Sequence, residues 1–300
     1  MKIAITGSNG FVGRNLWEYL GNEDFDLHSF GLRNSPVSDS IYKQNVIIHL
    51  AGKAHDVKNL SKSQEYFQAN YELTKQVYDI FLGSEAQKMI FISTVKAVAD
   101  HIDELLTEDC QPNPQTHYGK SKLMAEKYIQ SQSLPDGKSC YILRPCLIHG
   151  PGNKGNLNLL YKLVSRNIPW PLGAFENKRS FCSIENLCFV IKELLKRDDI
   201  PSGIYNIADG ETISTNELIR LMAKVLNKRP RIYNVSQPFI KLIAKLGSTL
   251  HLPLNTERLQ KLTESYVVSN AKIARVIGKP FPVTASEGLI GTLQSFQNNV

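Results

Sequence analysis

What this chain can fold into is constrained most by its first twenty residues. Lys2 to Thr6 is a short, β-branched apolar run, followed directly by Gly7-Ser8-Asn9-Gly10-Phe11-Val12-Gly13 and an amphipathic segment to Leu20. That order predicts strand, glycine loop, helix. Glycines at 7, 10 and 13 permit a tight turn, close backbone approach to a pyrophosphate and close packing of the helix, whose first amides face the anion. Gly7, Asn9, Gly10, Phe11, Val12 and Gly13 are therefore the first candidate ligand contacts.

The next elements extend the same logic. Asp26 to Phe30 reads as a second strand, whose end normally carries an acidic residue when the ligand is NAD. Here the chain continues Phe30-Gly31-Leu32-Arg33, with no carboxylate and with an arginine suited to a 2′-phosphate. NADP(H) is favoured on this ground, with NAD(H) as the alternative. Asn34 to Asn45 is too short for another strand plus crossover helix, so one unit of a regular repeat is missing. Val46 to Leu50 is a strand followed by Ala51-Gly52, Ser63 to Gly83 a long helix, and Lys88 to Ile92 a strand ending in Ser93-Thr94. A polar loop runs to His117, the Tyr118 helix follows, and Cys140 to Leu143 is a strand ending in Arg144-Pro145. Strands alternating with helices predict an α/β fold, a doubly wound parallel sheet of Rossmann type. The expected division is a dinucleotide-binding core over 1–150, completed by about 180–210, with 151–179 and 211–300 forming a smaller C-terminal substrate-binding lobe. Beyond residue 150 the spacing predicts helices over 157–165, 185–196 and 214–226, the last opened by a Ser214/Glu217 capping box, and a strand over 204–207.

Composition narrows the function classes. With 42% hydrophobic and 21% charged residues the chain can bury a sizeable core. No stretch of eighteen apolar residues occurs, so no membrane insertion and a cytoplasmic location are expected. Phe239 to Leu250 is apolar with Lys241 and Lys245 on a helical period, and is expected to pack on the substrate lobe rather than on a membrane. Five scattered cysteines form no metal or disulfide pattern, and no metal is expected. The net charge of +7 suits an anionic partner. Because lysines and arginines are spread along the chain, a nucleic-acid partner is not expected.

The reactive pair is Tyr118 and Lys122, one helical turn apart in Tyr118-Gly119-Lys120-Ser121-Lys122. A tyrosine titrates near 10, so a phenolate at neutral pH needs roughly 3 units of depression, about 4 kcal/mol. An ammonium ~4 Å away contributes about that much at an effective dielectric near 20.

Taken in order, Thr6-Gly7-x-x-Gly10-Phe11-x-Gly13, His49-Leu50-Ala51-Gly52, Phe91-Ile92-Ser93-Thr94, Tyr118-x-x-x-Lys122 and Arg144-Pro145 through Gly150-Pro151-Gly152 resemble the extended short-chain dehydrogenases, the epimerase and dehydratase family acting on nucleotide sugars. Arg179-Ser180-Phe181 and Gly203-Ile204-Tyr205-Asn206-Ile207-Ala208 extend the likeness into the second half. The resemblance implies that Tyr118 is the acid/base, that Lys122 holds the nicotinamide ribose and lowers the tyrosine pKa, and that Thr94, or else Ser93, hydrogen-bonds the reacting sugar oxygen. It implies Leu50, Ala51, Gly52 and Pro145 as further cofactor contacts. Lys154, Asn156, Arg179 and Arg258 are implied for a UDP-sugar substrate, with Arg179 on its diphosphate; a homodimer is left open. His55 is equally a substrate contact or a structural histidine.

Two departures from the family matter. Its 4,6-dehydratases carry Asp-Glu directly after the catalytic threonine, and here Val95 and Lys96 stand there, which argues against elimination. The missing unit after Arg33 thins the surroundings of the adenine. The run Leu143 to Asn156, with Ile168 to Ala174 and Asn177 to Ser180, is similar to bacterial 4-ketoreductases that reduce a UDP-4-keto-6-deoxy-N-acetylhexosamine for surface polysaccharide. A UDP-hexose or UDP-N-acetylhexosamine 4-epimerase is the alternative, and a non-catalytic NADP-binding sensor the remote one.

Overall fold

Apolar runs of four or five residues, buried on both faces, are what a parallel sheet covered by helices requires, and they set the centre of this molecule. The computed structural model describes residues 1–31, 39–54, 63–153, 155–250 and 255–297. Six strands, β1 (Lys2–Thr6), β2 (Asp26–Phe30), β3 (Val46–His49), β4 (Lys88–Ile92), β5 (Ser139–Pro145) and β8 (Gly203–Ile207), form one parallel sheet in the order β2-β1-β3-β4-β5-β8. Every residue of β3 and β4 is buried. Helix α1 (Phe11–Gly21) follows β1. Ser63 to Gly83 is a helix interrupted by a π turn: α2 (Ser63–Phe67), the turn Gln68–Glu72, and α3 (Leu73–Gly83). Helix α4 (His117–Ser131) carries the reactive pair.

The short segment after β2 behaves as its length requires. Its described part is a single 3-10 turn, Asp39–Lys43, that leads directly to β3. Strand β2 is the sheet edge, and no strand lies outside it among the described residues. Since β2 and β3 lie on opposite sides of β1, the chain reverses direction there, and the loops after β1 and β3 bound the crevice where α/β sheets bind ligands.

The late residues build a second layer. A small sheet of β6 (Leu147–His149), β7 (Arg179–Ser183) and β9 (Thr212–Ile213), in the order β6-β7-β9, shares a core with α5 (Asn156–Ser165), α7 (Thr215–Val225), α8 (Gln237–Thr249), α9 (Thr256–Thr263) and α11 (Ala285–Gln297), while α6 (Ile184–Lys196) and α10 (Ala271–Ile277) pack into the core of the parallel sheet. The Ser214/Glu217 capping box opens α7 as expected. Trp170, Leu172, Phe181, Met222, Leu289, Leu293 and Phe296 belong to its core. Sequence periodicity placed α8 on this lobe, and Ile240, Ala244 and Gly247 do pack there. The remainder of its apolar surface faces outward. Four of the five cysteines are buried and all are free thiols.

Candidate active site

Close packing of backbone on backbone makes the phosphate loop. Gly7 turns at φ +74°, and a Cβ on it would stand 2.7 Å from the Ala51 nitrogen, so only glycine lets the loop after β1 close on the end of β3. Gly10 is the N-cap of α1, with no side-chain cap and no acidic residue in the first turn, which leaves the helix's first amides and partial positive charge to an anion. Asn9 and Gly10 are exposed, Phe11, Val12, Leu50 and Ala51 half-buried, and Gly13 is buried. This cradle fits a dinucleotide pyrophosphate. Arg33, on which the choice of NADP rested, lies outside the described residues, as do Lys154 and His55 and the side chain of Asn156.

The catalytic helix is pressed onto the turn after β4. Its N-cap Thr116 accepts from the Gly119 amide at 3.2 Å, while Asp100 accepts from the Gln115 and Thr116 amides at 2.7 and 3.1 Å. At Gly119 a Cβ would lie 2.3 Å from the Lys96 carbonyl oxygen. That contact places Tyr118 at the turn that begins with Thr94, near enough for the Thr94 hydroxyl to favour the phenolate. Ser93 is turned away: its hydroxyl donates to Glu126, which Arg144 holds with bonds of 3.0 Å from Nε and 2.6 Å from Nη2. Of the two candidate hydroxyls, Thr94 therefore faces the cleft, whereas Ser93 belongs to a buried ion-pair network. Pro145 is buried at the end of β5.

Lys122 does not do here what its spacing implied. Its ammonium donates to the Ile92 carbonyl at 2.8 Å and lies 4.7 Å above the Phe91 ring. Burial pushes it down to about 8, partly countered by Glu126. Tyr118 is pushed up to about 12, because burial disfavours the phenolate more than the Thr94 hydroxyl favours it. The expected depression of the tyrosine is absent from the protein alone. At neutral pH Tyr118 is therefore a proton donor.

Asn70 is a site residue that periodicity did not reveal. Fully buried in the π turn, it accepts from the Lys53 amide at 2.7 Å and donates to Ser121 Oγ at 3.0 Å. A Cβ on Gly52 would lie 2.8 Å from its Oδ1 and 3.2 Å from Lys122 Nζ, so Gly52, Asn70 and Lys122 meet at one point. The sequence signal was a polar residue at a buried helix position, and the π turn is what aims it. Beneath lies His49, wholly buried, with Nδ1 2.7 Å from Thr6 Oγ1 and Nε2 3.0 Å from Thr74 Oγ1. Thr74 donates to the Asn70 carbonyl, so it accepts from His49 Nε2–H, and Thr6 donates to Nδ1.

On the substrate side a cationic cluster forms across the lobes. Arg179 donates from Nε to the Glu264 carbonyl at 3.2 Å and from Nη2 to the Lys261 carbonyl at 2.5 Å, and pairs with the Glu264 carboxylate at 3.7 Å. The end of α9 thus holds it in place. Lys96 donates to the Asp100 carbonyl at 2.7 Å and lies 4.2 Å over the Tyr266 ring. Burial lowers its pKa, against the opposing charges of Asp100 and Glu264, with smaller contributions in the same direction from Arg179 and Lys261. Arg258 is exposed on α9. Val95 is buried, so neither position following Thr94 offers a carboxylate.

A phosphate cradle at the reversal of a parallel sheet, with a half-buried tyrosine and a buried lysine one helical turn apart and a threonine at the adjoining strand end, defines a dinucleotide-dependent enzyme. The model of the NAD dependent epimerase/dehydratase family matches residues 3–208, and the chain belongs to that family. It is 29% identical to the UDP-glucose 4-epimerase of Vibrio cholerae over 319 residues, 98% of this chain and 95% of that one. It is 25% identical to the dTDP-4-dehydro-6-deoxyglucose reductase of Escherichia coli over 265 residues, 76% of this chain and 82% of that one. The solved UDP-glucuronic acid 4-epimerase from Bacillus cereus, in complex with NAD, has the same fold, with a TM-score of 0.77 at 19% identity and 99% of each chain covered.

Proposed function

We propose that this enzyme is a nucleotide-sugar 4-ketoreductase, acting on a UDP-4-keto-6-deoxy-N-acetylhexosamine with NADPH as preferred reductant. The observation that carries the reading is the end of β2, where Gly31 stands in place of a carboxylate and only a short link leads to β3, an arrangement that suits NADPH exchanged at every turnover better than a retained NAD. Reduction of a ketone needs a proton donor from the outset, whereas oxidation of a sugar hydroxyl needs a base. The nicotinamide supplies the hydride to carbon 4. Thr94 orients the carbonyl oxygen, and Tyr118 gives its proton to that oxygen as the negative charge develops. Lys122 and Asn70 hold the ribose side. Lys96 and Arg179 supply the positive charge that a nucleotide diphosphate requires. The product is the alcohol, and Tyr118 recovers its proton from solvent.

Full-length similarity to a 4-epimerase supports the second reading, in which the keto sugar is a transient intermediate and NAD is retained. The two separate in one assay. The reductase consumes NADPH one for one with the keto sugar and leaves UDP-galactose and UDP-N-acetylglucosamine unchanged. Redox-neutral interconversion of UDP-N-acetylglucosamine and its 4-epimer would promote the alternative.

A further inference from the structure

The lobe covers only a third of the apolar surface of α8. Ile240, Ala244 and Gly247 face inward, while Phe239, Leu242, Ile243, Leu246 and Leu250 are 54, 55, 36, 54 and 64% exposed. At about 100° per residue these five share one arc of roughly 100°, a continuous apolar strip about three turns long. Lys241 and Lys245, both exposed, stand one turn apart on the polar side of the helix, Lys245 about 60° and Lys241 about 100° from the Leu242 edge of the strip.

The charge of the stretch of sequence that contains this helix is not that of the rest of the chain. Lysines and arginines are spread widely, but acidic residues are not: between Glu217 and Glu257 there are none. The same stretch holds Arg220, Lys224, Lys228, Arg229, Arg231, Lys241 and Lys245. Of 35 basic and 28 acidic residues in the chain, these seven account for the whole +7, leaving 28 of each sign elsewhere. All but Lys228 are exposed. Excess positive charge and the exposed apolar strip thus share one continuous segment of the lobe.

We propose that this face docks on a membrane surface bearing anionic headgroups, with α8 lying in the interface plane. A polar shoulder of lysines beside an apolar strip is the pattern of an interfacial helix, attracted by headgroup charge and held by side chains placed at the acyl boundary. A second copy of the chain is a poorer occupant, because a two-fold contact through α8 sets the same basic segment against itself. Attachment is by surface contact: no described helix is long and apolar enough to cross a membrane.

The test is co-sedimentation with vesicles of phosphatidylcholine, with and without about one third phosphatidylglycerol, for the full chain and for Leu242→Ser/Leu246→Ser and Lys241→Gln/Lys245→Gln. All four side chains are exposed, so the thermal midpoint should hold in each variant, which separates docking from folding. The full chain should bind anionic vesicles at least ~10-fold better than neutral ones and release in high salt. The leucine variant should lose at least ~10-fold, the equivalent of about 1.4 kcal/mol, and the lysine variant its preference for anionic lipid. Equal binding by the full chain and the leucine variant, absence of binding to anionic vesicles, or a solution dimer that the leucine variant dissociates would each overturn the proposal.

Discussion

Two arginines show how differently the halves of this molecule are built. Arg144, in the parallel sheet, is 2% exposed and makes a bidentate pair with Glu126, which also accepts from Ser93. Arg179, in the small sheet, has about a quarter of its side chain exposed and rests on carbonyls at the end of α9. The first is part of the interior that fixes where Thr94 and Tyr118 stand. The second is held only at a helix end and keeps access to a ligand. On the proposed reading, the chemistry stands on the half with the buried, bidentate support and recognition on the half with looser supports.

That contrast can be broken by substitution. Arg144→Met should be the most damaging change, lowering stability by about 3–5 kcal/mol in denaturant titration because it strands a buried carboxylate. If the cost were below about 1 kcal/mol, the pair would not be what organises this side of the site. Tyr118→Phe should keep stability and cofactor affinity while turnover falls at least ~100-fold, about 2.7 kcal/mol in barrier terms. Near-normal turnover would remove Tyr118 from the chemistry. Arg179→Ala should cost little stability but raise KM for the nucleotide sugar roughly tenfold or more, with KM for NADPH nearly constant. A parallel rise in both would make Arg179 structural.

The smallest effect is a matter of pH. Burial, helped by the charge of Lys122, pushes His49 down to about 3 from an ordinary 6.5. Between those values the unfolded chain binds a proton that the folded one refuses, so stability rises with pH through that window and is lost as pH falls from 6.5. The slope is at most about 1.4 kcal/mol per pH unit. The denaturation midpoint of His49→Asn should show a flatter acid limb, and an unchanged limb would place the acid sensitivity elsewhere.

The same division governs what could be read from the residues. In the first half, strands and turns are local: Lys2–Thr6, Asp26–Phe30 and Lys88–Ile92 follow the expected bounds, the first and last because a buried apolar run needs no distant partner to be recognised, and Asp26–Phe30 although it is the half-exposed edge strand. Tyr118 and Lys122 share a helix and were legible as a pair. Their environment was not. Ser93 is diverted by Glu126, thirty-three residues on, and Asn70 depends on a π turn. In the lobe even the strands depend on remote partners: Ser180 bonds to the Val268 amide and Tyr266 to the Ala99 carbonyl. No short window contains both ends of such a contact. The outward face of α8 was not legible for a related reason, since periodicity gives an apolar arc but not how much of it a neighbour covers.

Reductase chemistry at carbon 4 is tested most directly with NADPH carrying deuterium at the transferable position, given with a UDP-4-keto-6-deoxy-N-acetylhexosamine and followed by mass spectrometry and NMR. The expected result is one deuterium at sugar carbon 4 and one NADP+ for each product molecule, with none of either for Tyr118→Phe. Product formed from UDP-N-acetylglucosamine without label uptake or NADPH consumption would contradict it.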